Sequence, residues 1–273
     1  MTTMREKQVE TSMGEAMTLR LSSPYHLNGV GPVFTWKLAM CDILTIEQLE
    51  DCQKLEEIAG ASKMPIGLLR KFHLRAKAML NNETYKIAPL ELPSEKLIYL
   101  DIETEPFGGR IWLIGIQIDG QFSQLYADDW GQEEEILEKF LDTIRGKPGH
   151  TLVSYSGTNF DLRNLEAATG RPGFSPILSR FPHVDLCSRL RRCFIFPNQS
   201  YGLKDLGTFL GYPFRNPDLN GLEVALLYQN HVEKGVPLDP KVFEYNEDDV
   251  KALPYLIERS MLNPTVNEEE RDD

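Results

Sequence analysis

The sequence predicts an α/β domain with a mixed β-sheet, preceded by a small all-helical domain. Residues 97–103 alternate apolar and polar side chains, as a half-buried strand does. Two segments rich in β-formers follow, 110–118 and 121–126, and the hairpin signal Asp119-Gly120 joins them. Three strands with such short connections must be antiparallel. An amphipathic helix then leads to a fourth strand, and a helical crossover lays that strand parallel to the first.

The helical region before the sheet carries two signals for helix starts. A glycine turn at residues 29–31 precedes Pro32, and proline suits the first position of a helix. Such a turn leaves backbone N–H groups pointing outward, where they can hold a phosphate oxygen. Residues 45–48 have the spacing of a capping box, and we expect Gly60 to end the helix that follows.

The last helix of this region is predicted to start at residues 62–65, and its apolar side chains recur at helical spacing from Ile66 to Leu80. Lys63, Arg70 and Lys77 are seven residues apart, which predicts one basic stripe along that helix. Contacts between such cations and phosphates supply affinity for nucleic acid without reading its sequence. The alternative is a small helical module whose cations are only solvated.

Charge is distributed unevenly along the chain, whose net charge is −12. Residues 1–90 carry 11 Lys and Arg against 10 Asp and Glu, whereas residues 91–273 carry 18 against 31. Net charge governs long-range steering and not what a local site can hold, so nucleic acid stays a candidate partner. There is no apolar run of about 18 residues, so we expect no membrane span. The N-terminus lacks the apolar core of a signal peptide, which indicates a cytoplasmic protein.

Two carboxylates, Asp101 and Glu103, lie on the same face of the first predicted strand. Their Cα atoms are about 6.6 Å apart in a strand, so the two like charges repel unless a cation lies between them. Mg²⁺ and Mn²⁺ prefer oxygen ligands and would remove that repulsion. Without further residues, a strand end whose acids reach solvent explains the pattern equally well.

Three further residues can join this pair. Asp161 follows the fourth strand, and the carboxyl ends of neighbouring parallel strands meet in one crevice. Tyr245 and Asp249 are four residues apart and share a helix face. Each also has a structural explanation, namely a helix N-cap, a core aromatic and a solvated acid, respectively. Asp248 faces about 100° away from Asp249 on a helix, and we prefer Asp249 because it is one turn from Tyr245.

Taken together, these residues carry a resemblance. Asp101-x-Glu103, Asn159-Phe160-Asp161 and Tyr245-x-x-x-Asp249, in this order, resemble the three motifs of the DEDDy 3′–5′ exonucleases of the ribonuclease H-like superfamily. The closest subgroup is the YprB-like predicted exonucleases, because residues 245–250 read Y-N-x-x-D-V. Residues 27–80 resemble a tandem helix-hairpin-helix domain, in which L-x-G-V-G-P is followed by I-x-T-I-x-x-L.

The resemblance implies a ribonuclease H-like fold and a two-metal 3′–5′ exonuclease. Its two Mg²⁺ or Mn²⁺ ions would be held by four residues, Asp101, Glu103, Asp161 and Asp249. Tyr245 would orient the attacking water. The implied partner is nucleic acid, as a single strand or a 3′ end, with DNA favoured because helix-hairpin-helix domains commonly bind the DNA backbone. Residues expected to bind nucleic acid are Gly29, Val30, Gly31, Lys63, Arg70, Lys77 and Asn159.

Two other functions are compatible with the same residues, a structure-specific endonuclease on this fold and a non-catalytic nucleic-acid-binding scaffold. The predicted organisation is a weakly ordered lead-in, a helix-hairpin-helix-like domain, a linker, an exonuclease domain and an acidic tail. Their expected bounds are 1–22, 23–82, 83–95, 96–262 and 263–273.

Overall fold

A computed structural model describes residues 22–106, 109–158, 160–198, 200–262 and 264–266. Its helices are α1 (Pro32–Ala39), α2 (Ile46–Glu50), α3 (Leu55–Ser62), α4 (Ile66–Asn81), α5 (Glu133–Arg145), α6 (Asp161–Thr169), α7 (Leu186–Cys193), α8 (Leu203–Phe209), α9 (Gly221–Lys234) and α10 (Lys241–Met261). Its strands are β1 (Tyr85–Lys86), β2 (Leu97–Thr104), β3 (Ile111–Ile118), β4 (Gln121–Tyr126), β5 (Thr151–Ser154), β6 (His183–Asp185), β7 (Phe194–Ile195) and β8 (Thr265–Val266).

The chain divides into two compact units, and the sequence-based domain bounds stay a prediction. One unit comprises Met1–Ile87, Phe194–Ser200 and Asn263–Asp273, and the other comprises Ala88–Cys193 and Tyr201–Leu262. Among the described residues, no helix combines the length and apolar character needed to cross a membrane.

The larger unit is built on a five-stranded mixed sheet, which confirms the predicted fold class. The strand order is β4-β3-β2-β5-β6, with β2, β3 and β4 antiparallel and β2, β5 and β6 parallel. Asp119 and Gly120 both have positive φ, as the predicted two-residue hairpin between β3 and β4 requires. Helix α5 provides the crossover that makes β5 parallel to β2.

The central strand β2 has the alternation that the sequence predicts. Ile98, Leu100 and Ile102 are buried, and the intervening residues up to Asp101 are half-buried. Helix α10 packs on β2 and β3, and α5 packs on β3 and β4, so the sheet is covered by helices. The carboxyl end of β2 is therefore held in a packed core, which fixes the position of the acids that follow Leu100.

The smaller unit contains α1 to α4 around a core of its own, whose fully buried members include Leu38, Leu49 and Phe72. Helix α1 begins at Pro32, and the capping box of Thr45 and Gln48 is formed, as predicted. The unit also has a three-stranded sheet of order β7-β1-β8. Two-residue strands carry too little sequence pattern to be predicted.

One helix end differs from the expectation. Helix α3 continues past Gly60 to Ser62 and ends because Lys63 adopts a left-handed conformation. Lys63 therefore does not lie on α4, and the predicted basic stripe along one helix is wrong in that residue. Helix α10 continues through Pro254 to Met261, since buried side chains on both sides of the proline, including Leu253 and Leu256, hold it in the core.

Candidate active site

A cavity of about 500 Å³ opens at the carboxyl end of β2. A β-bulge between Glu103 and Thr104 interrupts the pairing with β3 there, and bulges commonly turn side chains near functional sites. Asp101 is half-buried, whereas Glu103 is only 6% exposed. All five residues expected to form a catalytic site line this cavity, namely Asp101, Glu103, Asp161, Tyr245 and Asp249.

Asp161 is brought to the strand by the turn between β5 and α6. It is the first residue of α6 and is buried, and its Oδ1 accepts a hydrogen bond from the N–H of Ile102 (3.2 Å). Gly157 makes the approach possible, because a Cβ at that position would lie 2.2 Å from the Asp161 Oδ2 atom. The Asp161 carboxylate thus faces β2 and does not act as the N-cap of its own helix.

The two adjacent acids on α10 have different surroundings. Asp249 lines the cavity, and its buried Oδ1 has no hydrogen-bond partner. Asp248 is also buried, but Arg215 binds it through the backbone N–H (2.8 Å) and Nε (3.0 Å). The Arg215 guanidinium compensates the negative charge of Asp248. Asp249 is therefore the acid that is available to the cavity.

Asn246 belongs to the site although it is not among the residues predicted from the sequence. Its side chain is fully buried, and Nδ2 donates to both the carbonyl oxygen (3.2 Å) and Oδ2 (2.8 Å) of Asp101. Gln124 Nε2 donates to Asn246 Oδ1 (3.0 Å) and so orients the amide. Gly115 leaves the space for this contact, because a Cβ there would lie 2.3 Å from Asn246 Oδ1. The only sequence signal for Asn246 is its position beside Tyr245 in the last motif.

Burial and mutual repulsion disfavour the charged forms of the four carboxyls. Burial raises the pKa of Asp101 well above its usual value, and the charges of Glu103, Asp161 and Asp249 add to the shift. The pKa of Glu103 rises well above its usual value, chiefly through burial. Burial also raises the pKa of Asp161 and of Asp249 to about 7. A bound cation would favour the charged forms and reverse these shifts.

The donor set fits hard divalent cations. It consists of carboxylate oxygens, which Mg²⁺ and Mn²⁺ prefer, and the unpartnered Oδ1 of Asp249 is among them. Within the described part of the chain, no three His, Cys, Asp or Glu side chains are already arranged to hold a metal ion. Asp101 Oδ2 faces the Asn246 amide and Asp161 Oδ1 faces the N–H of Ile102, so each carboxylate would bind an ion through its other oxygen or by sharing those partners.

An apolar wall completes the cavity. Phe160 and Leu222 line it although their side chains are 43% and 49% exposed, and Pro106 and Ala225 lie beside them. Phe160 and Leu222 were not predicted as site residues, because an isolated apolar residue in a sequence is indistinguishable from a core residue. The cavity therefore combines an acidic floor with exposed apolar sides.

The glycine turn of the smaller unit has the conformation that its sequence requires. Gly29 has a φ of 79° and is exposed, Gly31 caps α1, and Val30 is buried with its N–H bonded to the Leu27 carbonyl. The Arg75 guanidinium lies next to the turn, since a Cβ at Gly29 would be 3.0 Å from its Nη1.

The basic residues expected to bind nucleic acid have separate environments. Lys63 is exposed at the end of α3, and Lys77 is half-buried on α4. Arg70 is exposed and forms an ion pair with Glu56 (3.0 Å). Asn159 lies outside the described residues.

Comparison with known proteins gives a family match. A family model for the RNase H superfamily matches residues 98–261, which is more than half of the chain. A search of curated proteins gave no significant match. The matched segment includes Asp101, Glu103, Asp161, Tyr245 and Asp249.

Proposed function

Because the chain belongs to the RNase H superfamily, whose members are generally nucleases that use divalent metals, we propose that it is a 3′–5′ exonuclease of the DEDDy type. It would hydrolyse phosphodiester bonds of nucleic acid, with DNA favoured over RNA. The observation that carries the proposal is that four carboxylates and Tyr245 line one cavity. The 3′–5′ direction rests on the motif resemblance.

In this mechanism each residue has a defined task. Asp101, Glu103, Asp161 and Asp249 would hold two Mg²⁺ or Mn²⁺ ions, which supply an activated water and neutralise the charge that develops on the departing oxygen. Burial and the neighbouring acids raise the pKa of Tyr245, so its phenol stays protonated. Tyr245 therefore positions the water by hydrogen bonding and does not act as a base. Asn246 fixes one Asp101 oxygen.

The apolar wall supports a substrate with unpaired bases. Phe160 and Leu222 present exposed apolar surface directly beside the carboxylates. An aromatic side chain stacks on a nucleobase without regard to its identity, and an unpaired base at a strand end can reach such a surface. We therefore favour single strands and frayed 3′ ends over the interior of a duplex.

The smaller unit is proposed to bind the backbone of the same nucleic acid. The support is the exposed Gly29 turn with the Arg75 guanidinium beside it and two exposed cations, Lys63 and Arg70. Backbone N–H groups at such a turn and guanidinium groups both bind phosphate oxygens. The helix-hairpin-helix resemblance is the reason for favouring DNA.

The decisive experiment is digestion of 5′-labelled single-stranded DNA and RNA with Mn²⁺, repeated with a chelator. We expect a ladder that shortens from the 3′ end, complete inhibition by the chelator, and no cleavage by Asp101→Asn. Asp142→Asn is the matched control, because Asp142 is an exposed acid paired with Arg145 and far in sequence from the motifs. Cleavage of covalently closed circles would indicate an endonuclease instead. If Asp101→Asn kept full turnover, the assignment of the catalytic site would be contradicted.

A further inference from the structure

Lys204 lies next to the proposed site but does not line its cavity. It is on α8, and its ammonium lies over the ring of Tyr245, with Nζ 4.4 Å from the ring centroid. Such a distance is that of a cation–π contact, and the contact strengthens when the cation is partly desolvated. Lys204 is half-buried, so this contact restrains one face of the aromatic ring in a partly desolvated setting.

The ammonium protons of Lys204 are directed to a loop. Nζ donates to the carbonyl oxygens of Asn216 (2.8 Å) and Leu219, and the Pro217 carbonyl oxygen lies at 3.4 Å. An ammonium has three protons. With these carbonyls as partners, Lys204 has no proton directed at a substrate, and it acts through its charge and through the ring that it contacts.

The charge of Lys204 reaches two of the acids. Its ammonium lies over the ring of Tyr245, and Tyr245 lines the same cavity as Asp249 and Glu103, so a fixed positive charge lies beside a wall of that cavity. A fixed positive charge beside the carboxylates does in part what a bound cation does, because it stabilises their charged forms. The same charge repels a divalent ion that approaches those carboxylates.

We propose that Lys204 is a positioning residue that holds Tyr245 at the cavity and sets the affinity of the acidic cluster for divalent ions. The inference rests on the proposed function, because it takes the reaction and the ions from that proposal. It makes a distinctive prediction: removing the charge should tighten ion binding and at the same time slow the reaction. If Lys204 were only a structural anchor, its loss would weaken ion binding and also slow the reaction.

The test compares Lys204→Met, which keeps the length of the side chain, with the wild-type protein. Manganese affinity is measured without nucleic acid, from the rise in melting temperature with Mn²⁺ concentration. We expect Lys204→Met to bind Mn²⁺ about three- to thirtyfold more tightly, as expected for one unit charge acting on a divalent ion at a partly buried site. With labelled single strands, kcat should fall at least about tenfold while the Mn²⁺ concentration for half-maximal rate also falls.

Lys251→Met is the matched control. Lys251 also lies over an aromatic ring, with Nζ 5.3 Å from the Phe122 centroid, and it is paired with Glu247. Its replacement should leave both manganese affinity and kcat within about twofold of the wild type. Lys204→Arg retains the charge, so its manganese affinity should also stay near the wild-type value even if its turnover falls.

The outcomes separate the two proposals. Wild-type protein that neither binds Mn²⁺ nor cleaves nucleic acid would overturn the proposed function, and the role of Lys204 with it. An active, Mn²⁺-binding wild type whose Lys204→Met variant binds Mn²⁺ equally or more weakly would overturn the role of Lys204 alone. If Lys204→Met does not fold, the role of Lys204 would be overturned by a change of manganese affinity in Lys204→Arg, because that variant keeps the charge.

Discussion

Gly115 offers the sharpest test of how the fold positions the site. The residue lies on β3, where it pairs with Asp101 of β2. A Cβ added at Gly115 would lie 2.3 Å from Asn246 Oδ1 and 2.9 Å from Val250 Cγ2. Contacts that short are not tolerated, so Gly115→Ala must move α10 away from the sheet or displace the Asn246 amide.

Strain in the folded state lowers stability and restraint of the unfolded chain raises it, and the strain is the larger effect. Forcing extra volume into a packed core costs about 1–3 kcal/mol, and leaving the buried Asn246 amide unsatisfied costs about 1–3 kcal/mol. Alanine restrains the unfolded chain more than glycine, which returns about 0.5–1 kcal/mol. If both costs apply, the net loss in the free energy of unfolding is about 1–5 kcal/mol, or about 2–20 °C in melting temperature for a unit of this size.

Thermal unfolding followed by circular dichroism measures the effect. Gly146→Ala is the matched control, because the nearest atom to its added Cβ is the Thr143 carbonyl oxygen at 3.9 Å and its φ of −75° suits alanine. That control should change the free energy of unfolding by less than about 1 kcal/mol. Gly115→Ala should also lower nuclease turnover, since Asn246 no longer fixes Asp101. A Gly115→Ala protein that melts at the wild-type temperature would refute the reasoning.

Two further predictions concern pH and salt. Burial lowers the pKa of His183, whose Nε2 is bonded to Ser154 Oγ (2.8 Å), so on acidification the unfolded chain takes up the proton first and the folded state loses stability. Between about pH 7.5 and pH 5.5, the free energy of unfolding measured with urea should fall more in the wild type than in His183→Gln. Equal decreases would contradict the attribution of this pH dependence to His183. Changing Lys63, Arg70 and Lys77 together to Glu should weaken binding of single-stranded DNA and flatten its salt dependence, as measured by fluorescence anisotropy. An unchanged salt slope would exclude the smaller unit from binding. The control changes three cations of the other unit: Lys139, Arg145 and Lys251.

The architecture of the larger unit was predictable because its signals are local. Residues 97–103 alternate strictly, Asp119-Gly120 encodes a two-residue turn, and the helix Glu133–Arg145 has a clear apolar face. Each signal depends only on neighbours in the chain, and the parallel pairing of β5 follows from the crossover rule. The end of α3 was mispredicted because Gly60 is compatible with a helix interior, whereas the left-handed Lys63 that ends the helix has no signal in its own side chain.

The parts of the site that were not predicted depend on contacts across the sheet. The importance of Asn246 requires Gly115 and Gln124, two residues more than 120 positions earlier in the chain. Lys204 is significant because of where its ammonium lies relative to Tyr245, and a lysine in an amphipathic helix gives no indication of that. The spacing of residues in the sequence was therefore enough to predict the acids that line the cavity, but not the residues that orient them.

The contrast between Asp248 and Asp249 explains how an acidic protein can act on an anionic substrate. Burying a carboxylate is unfavourable unless a positive partner compensates it, and Arg215 compensates Asp248 through two hydrogen bonds. Asp249, one residue later, instead faces other carboxylates, and the effect of burial on its pKa is opposed by the charge of Lys204 and by a hydrogen bond from Tyr245. A site of this kind gains most from divalent cations, and the bound ions would give the phosphate a locally positive surface. The overall charge of −12 would then be no obstacle, because the proposed substrate would meet the ions before it met the acids.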